Sequence, residues 1–346
     1  NSGHVQIDGQ QLPTAGALSS RNLVLNGAMT VSQRGTSFTS NPSGYTLDRW
    51  VFVTNSGIFD VSQSSTAPAG FSNSLKVDCT TTGTPTGQQE GLVETKIEAQ
   101  NLQHLQYGTS GAQSITLSFY VKSNKTGDYG LWVYQPDASS QYATTYTISS
   151  ANTWEHKTIT IPGNTASAIN NDNGVGLQFR FYLLAGSDYA GTPAQTWTTT
   201  LTSNRTTSLN LGDSTANEWL ITGVQLEVGE KATPFEHRSY GDELARCQRY
   251  FQLLQHSSGV GLGTTVVARC TWPLKVTMRA NMTIAAVGTP GWFHGTAGAT
   301  FSALGTNYSI PEMAQMDVTV TGGGGSSVPH FSDSGGTSYF TASAEL

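Results

Sequence analysis

Short runs in which apolar and polar residues alternate dominate this chain. In "SITLSFYVKS", Ile115, Leu117, Phe119 and Val121 fall on one side and Thr116, Ser118, Tyr120 and Lys122 on the other. A period of two marks a half-buried strand, because successive side chains of extended backbone point to opposite faces. "LQFRFYLL" repeats the pattern, with Leu177, Phe179, Phe181 and Leu183 against Gln178, Arg180, Tyr182 and Leu184, and "HKTITIP" does so briefly around Ile159 and Ile161. Turn clusters such as "SNKTGDYG" and "NNDNG" separate the runs, and no strand-helix-strand alternation occurs. Residues 21–230 therefore predict a two-sheet antiparallel sandwich.

The pattern changes near Ser239. Leu244, Cys247, Phe251 and Leu254 recur at helical spacing, Ser239 stands at a capping position and Asp242 lies in the first turn. A helix of about four turns is expected. Nine charged residues between Glu227 and Arg249 set 231–256 apart as a junction and helix. Just before it, "WLITGVQLEVG" reads as the last sandwich strand, with Leu220, Val224, Leu226 and Val228 on a common face and Gly223 a candidate bulge that alters the phase. Pro234 then stops pairing, Phe235 anchors the turn, and Glu236, His237 and Arg238 are expected to serve nearby exposed backbone. Strand character returns in "GTTVVARCTWPLKVTM", "ANMTIAAVG", "QMDVTVTGGGG" and "TSYFTASAEL", which predicts a smaller β domain over 257–346 with the glycines at 322–325 as a loop. Residues 1–20, poor in apolar groups and broken by Pro13, read as an extended connector from something upstream.

Composition narrows the function classes. At 346 residues the chain can bury two cores. Charged residues make up 12%, about half of the usual share, and 38 glycines favour tight turns, which suits an all-β protein. A net charge of -6 without a Lys/Arg run gives no footprint for nucleic acid. No apolar run approaches the roughly 20 residues that span a bilayer, so membrane insertion is not expected. Three widely spaced cysteines, Cys79, Cys247 and Cys270, do not form a disulfide framework and read as reduced, buried thiols, consistent with synthesis in a cytoplasm.

Catalytic signatures are missing: there is no G-x-S-x-G, P-loop or H-E-x-x-H, and the seven histidines never take ligand spacing. "GVGLGTT" at 259–265 lacks the helix that phosphate binding requires. Glu90, Glu94 and Glu98 serve a glycosidase only if two carboxylates face each other at the right separation. "NNDNG" is most simply an Asx turn. No cofactor and no metal are expected.

Two end motifs carry a family resemblance. "RNLVLNGAMTVSQRGTSF" with "GYTLDRW", and the uninterrupted stretch "WLITGVQLEVGEKATPFEHRSYGDELARCQRYFQ", closely resemble a module of bacteriophage tail fibre and related virion proteins. The opening Asn-Leu-x-x-Asn-Gly segment and the closing strand also look like those of jelly-roll carbohydrate-binding modules. The resemblance covers about 20–255. It implies a jelly-roll β-sandwich in a homotrimeric fibre on the exterior of a phage tail or capsid; with the helix and the smaller C-terminal β domain read from the patterning, the expected fold is all-β. Such a fibre is joined to an upstream fibre, tail or capsid protein and attaches to host-surface polysaccharide. Rival readings are a head-decoration fibre without receptor binding and a virion polysaccharide depolymerase. Such jelly rolls often carry an acidic residue after the first Asn-Gly that helps hold calcium; here Ala28 and Met29 stand there, which weakens the case for a metal.

Three groups of residues are candidates. Trp132 and Tyr134 lie on one strand face, and Gln178, Arg180 and Tyr182 on the non-core face of another; in one sheet they would combine rings with hydrogen-bond donors, as sugars need. The alternative is a face buried between subunits or simply solvated. Trp292, Phe293 and His294 in "GTPGWFHGTAG" sit between glycines, outside any clear strand, and mark either a contact loop or one folded onto its own core. Arg34, Asp48, Arg49 and Trp50, with Glu236 and Arg238, belong to the recognised motif and read as structural; Asp48 is expected to pair with Arg34 or Arg49.

Overall fold

The computed structural model describes residues 6–7, 10–11, 20–200, 204–254, 258–261, 267–288, 291–294, 297–321, 330–331 and 339–346. Of the expected connector, β1 (Gln6–Ile7) and β2 (Gln10–Gln11) pair as an antiparallel ladder. The chain forms two compact units, one running to Tyr240 together with Leu346 and one from Gly241 to Glu345.

The first unit is a jelly-roll β-sandwich. One sheet has the order β11 (Ser140–Ile148), β10 (Gly127–Gln135), β13 (Val175–Ala185), β8 (Glu90–Glu98), β5 (Trp50–Thr54) and β4 (Gly44–Tyr45). The other runs β12 (Glu155–Ile161), β9 (Ile115–Ser123), β14 (Glu218–Val228), β7 (Ser74–Thr81), β6 (Ile58–Ser64) and β3 (Ser37–Phe38). From β7 to β10 and again from β11 to β14 the chain changes sheet at almost every step, which makes the roll.

The alternation explains the layers. Ile115, Leu117, Phe119 and Val121 of β9 and Leu177, Phe179, Phe181 and Leu183 of β13 all enter one core. Phe181 lies near its centre, with Phe119 edge-on at 5.2 Å and Trp50 and Trp219 at 6.3 and 6.2 Å. Burying each such ring contributes about 1.5–3 kcal/mol.

Strand β14 departs from the expected phase. Its pairing with β9 shifts between Thr222 and Gln225, and Gly223 takes φ +61°, so the candidate bulge is present. The bulge puts Trp219, Ile221, Val224 and Leu226 in the core with Val228 packed against it, while Leu220 points to the other face. Strict alternation through Gly223 had joined Leu220 to the wrong set.

In the second unit the helix α1 spans Tyr240–Gln248, nine residues, rather than four turns. Phe251 and Leu254 instead belong to strand β15 (Phe251–Leu254), paired with β23 (Tyr339–Ser343), which also pairs β18 (Thr283–Val287). Helical spacing survived by coincidence; long-range pairing decided the backbone. Six further strands close a barrel in the order β16 (Ser258–Gly261), β17 (Val267–Trp272), β21 (Ala314–Thr321), β20 (Ala297–Asn307), β19 (Gly291–His294) and β22 (His330–Phe331). Trp272, Phe340, Met278, Met282 and Ile284 lie in this unit's core. The glycines at 322–325 and most of "GVGLGTT" lie outside the described residues.

Candidate functional site

The end motifs are explained by one joint. Asn22, almost fully buried, donates through Nδ2 to Val224 O (3.0 Å) and accepts at Oδ1 from Val24 N (2.9 Å) and Leu226 N (3.1 Å). Leu23 N donates to Leu226 O and Val224 N to Gly27 O, so the opening segment lies along the closing strand. A Cβ on Gly27 would stand 2.0 Å from Val224 O, which excludes any side chain there. Glu236 accepts from the backbone N–H of Arg21 (3.2 Å) and Asn22 (3.0 Å), and Arg238 pairs with Glu236 (3.2 Å) while donating to Asn22 O. These charged groups thus serve backbone more than 200 residues away rather than nearby backbone. Burial opposes the Glu236 charge, but the amides of Asn22 and Arg21 and the Arg238 guanidinium outweigh it and hold the carboxyl below its ordinary pKa.

Beside the joint, Asn26 bonds Val31 and Asp48 backbone, and Trp50 Nε1 donates to Asn26 O (3.1 Å). Buried Asp48 accepts from Gln33 N and Nε2, both at 2.6 Å, and Arg34 Nη1 stands 3.9 Å away. Arg49, buried at φ +70°, donates to Lys96 O (2.8 Å). Arg34 thus stands within ion-pair distance of Asp48, as the motif allows.

The outer face of the first sheet brings the aromatic and polar candidates together. Strands β10 and β13 are neighbours, with Trp132 opposite Arg180 and Tyr134 opposite Gln178, and β8 places Glu94 and Lys96 next in the same rows. Trp132 and Tyr134 stack at 4.8 Å and 10°. Arg180 bonds Glu94 Oε2, and Lys96 Nζ lies 3.3 Å from Glu94 Oε1. Burial opposes the Arg180 charge, but Glu94 more than compensates and its pKa lies above the ordinary value.

This face is not fully open. The segment after β13 returns across it: Gln195 N bonds Ala143 O, Thr198 bridges Gln141, and Thr206 crosses Gly130, where a Cβ would meet the Thr206 hydroxyl at 2.0 Å. Arg205 lies over the Trp132 ring at 5.0 Å and the Tyr189 ring at 4.3 Å. Trp132 is 3% exposed and its Nε1 donates to Gln141 Oε1 (2.7 Å); Tyr182 is 1% exposed and donates to Glu90 (2.9 Å). Burial, followed by the Glu90 carboxylate, pushes the Tyr182 phenol well above its ordinary pKa. Two of the five residues grouped by sequence are therefore packing groups, because an extended Gly/Thr-rich segment with no periodicity covers them. Tyr134, Gln178 and Arg180 stay half-exposed, with Lys96 beside them. Gln178 Oε1 is buried and has no hydrogen-bond donor among the described residues. Arg205, Tyr189 and Lys96 escaped the sequence reading, and Glu94 entered it only as a glycosidase carboxylate, since only the register and the returning segment bring them here.

The other candidates stand elsewhere. Trp292, Phe293 and His294 lie in strand β19, paired with β20, rather than in a loop. Gly291 opens this short strand of a closed barrel, where local sequence had no second strand to point to. Glu90, Glu94 and Glu98 share β8; both Glu94 oxygens face cations, Glu90 accepts from Tyr182, and Glu98 accepts from Gln100 and Asn101. Asp172 Oδ1 accepts from Gly174 N (2.7 Å), closing the turn in "NNDNG". Among the described residues no group of three or more His, Cys, Asp or Glu is placed to hold a metal ion, and no helix is long and apolar enough to cross a membrane.

No protein-family model and no curated protein matches the chain. Several solved structures share part of its fold. The enzymatically active domain of tailspike protein 4 from bacteriophage CBA120 aligns at 12% identity and a TM-score of 0.35, over 60% of this chain and only 21% of that one. The family 11 carbohydrate-binding module of a Clostridium thermocellum cellulase aligns at 11% identity and 0.29, over 58% and 98%. The N-terminal cellulose-binding domain of a Cellulomonas fimi β-1,4-glucanase aligns at 14% and 0.28, over 57% and 97%. These are likenesses of fold, and what those proteins bind or cleave is said of them alone.

Proposed function

We propose that this chain is a non-enzymatic fibre protein of a bacteriophage particle, homotrimeric and joined to an upstream fibre, tail or capsid protein, whose sandwich contacts polysaccharide on the host surface. The observation that carries the glycan reading is the open end of the outer sheet face. There the half-exposed Tyr134 ring stands opposite Gln178, whose buried Oε1 lacks a donor, with Arg180 and Lys96 beside it. A pyranose offers what this patch lacks: a hydroxyl donor for the amide oxygen and a C–H face for the ring. The virion reading rests on the two end motifs. Binding at this patch is favoured over hydrolysis because both oxygens of Glu94, the carboxylate beside Gln178 and Tyr134, are taken by Arg180 and Lys96, whereas glycosidases use two available carboxyl groups. A glycan array probed with the full chain tests the reading: selective binding, lost on Tyr134→Ala and Gln178→Ala, is expected, and an array blank at every sugar would sink it.

A further inference from the structure

A second cluster of rings lies on the outer face of the other sheet. Phe71 stands 5.4 Å from Tyr120, 5.0 Å from Phe235 and 5.2 Å from His237, and Tyr120 stands 4.7 Å from His156. Five rings from four separate stretches of chain thus form one continuous group. Gly223 makes it possible: a Cβ there would approach Phe71 Cζ at 2.7 Å and Tyr120 Cδ2 at 3.0 Å, so both rings rest on bare backbone at the bulge. The stretch carrying Phe235 and His237 is pinned to the sheet by Gln225, which donates to Thr233 O and accepts from Glu236 N, and by Glu227, which accepts from Thr233 N.

Two features separate this group from ordinary packing. The rings are not sealed: His156 and His237 are exposed and Phe71, Tyr120 and Phe235 only half-buried. Directly opposite Tyr120 on the same face, Thr222 is 0% exposed and its Oγ1 has no hydrogen-bond partner among the described residues. A buried hydroxyl left unmet is destabilising, because it has lost water without a replacement, so a partner arriving from outside would be rewarded. The next positions in register are Ser118 and exposed Thr158, with Lys122 on the other side of Tyr120. Rings ringed by hydroxyls, imidazoles and one ammonium suit a sugar better than a subunit contact, whose centre is depleted of charge.

We infer that Phe71, Tyr120, His156, Phe235 and His237, with Thr222 at their base, form a second carbohydrate site that stacks the C–H face of a neutral hexopyranose. It borrows only the ligand class from the reading above and is separate from the Tyr134 patch, on the opposite sheet. Saturation-transfer difference NMR with the full chain and tetrasaccharides of β-1,4-linked glucose, galactose, mannose and N-acetylglucosamine tests it. At least one tetramer should receive transfer and move the ring-proton resonances of His156 and His237. Tyr120→Ala should weaken binding of that tetramer about tenfold, as loss of one stacking contact predicts, Tyr120→Phe should retain it, and Tyr134→Ala should leave it unchanged. Should Tyr120→Ala fail to fold, exposed His156→Ala takes its place with the same expected direction. Absence of transfer from every tetramer overturns the site. So does unchanged binding in Tyr120→Ala, or dissociation of an oligomer by Tyr120→Ala with sugar binding intact. If Tyr134→Ala alone abolishes binding, this site fails and the Tyr134 patch stands; if Tyr120→Ala alone does, the reverse holds.

Discussion

Asn22→Ala is the sharpest perturbation of the joint that ties the first and last segments of the sandwich. The amide side chain makes three hydrogen bonds, to Val224 O, Val24 N and Leu226 N, at a position 4% exposed. Alanine removes all three and strands two buried donors and one acceptor with no room for bulk water. At roughly 1 kcal/mol net per bond, with an added penalty for each buried group left unmet, the loss is about 3–5 kcal/mol. For a unit of this size each kcal/mol moves the melting temperature by about 2–4 °C, so a fall of about 10 °C is expected. Five of the seven tryptophans precede Tyr240, and a urea titration followed by their fluorescence therefore reports mainly on the sandwich. The midpoint should fall while the slope holds, the signature of lost stability rather than a changed native state. A change below about 1 kcal/mol would refute the reasoning, because it would mean that the three bonds are replaced by water or by local rearrangement.

Other consequences follow from the same geometry. Gly223→Ala places a Cβ 2.7 Å from Phe71 at φ +61° and should destabilise the sandwich by about 1–2 kcal/mol, readable by the same titration. Trp132→Ala should cost about 3–5 kcal/mol, as a buried ring does, while Tyr134→Ala should cost less than about 1 kcal/mol; equal costs would contradict the assignment of one to packing and the other to an open surface. Because the Glu236 carboxyl is held below its ordinary pKa by backbone amides and Arg238, its contribution is present above the unfolded value, about 4.3, and is lost as pH falls through the folded one. Melting temperatures measured from neutral pH down through that window should therefore fall less steeply in Glu236→Gln than in the parent. Cys79, Cys247 and Cys270 are buried and form no disulfide, with burial pushing the Cys270 thiol up to about 12. A thiol reagent at pH 8 should find no fast-reacting group in the native protein and all three after denaturation.

Much of the architecture was legible because period-two patterning acts residue by residue. Ile115 to Val121 and Leu177 to Leu183 announce their inward faces without reference to any partner strand, and Gly223 announced its bulge. Asp48 was likewise expected to pair with Arg34 or Arg49, and Arg34 Nη1 lies 3.9 Å from it. What escaped depends on register between distant segments. Phe251 and Leu254 kept helical spacing from Leu244 and Cys247, yet pairing with β23 made them a strand. Trp132 and Tyr182 looked open because the covering segment after β13 has no periodicity to mark it as structural. The ring cluster around Phe71 was invisible for the same reason, since its members come from four places in the chain and meet through the pairing of β12 with β9 and the docking of 233–236 on β14.

The claim that matters most is that the open end of the first sheet binds sugar. Its direct test is the affinity of the full chain for the glycan selected on an array, measured beside Tyr134→Ala and Gln178→Ala variants of unchanged melting temperature. Loss of the ring or of the amide oxygen should each weaken binding about tenfold, as one stacking contact or one hydrogen bond predicts. Equal affinity in all three proteins would show that the sugar sits elsewhere and would contradict the account.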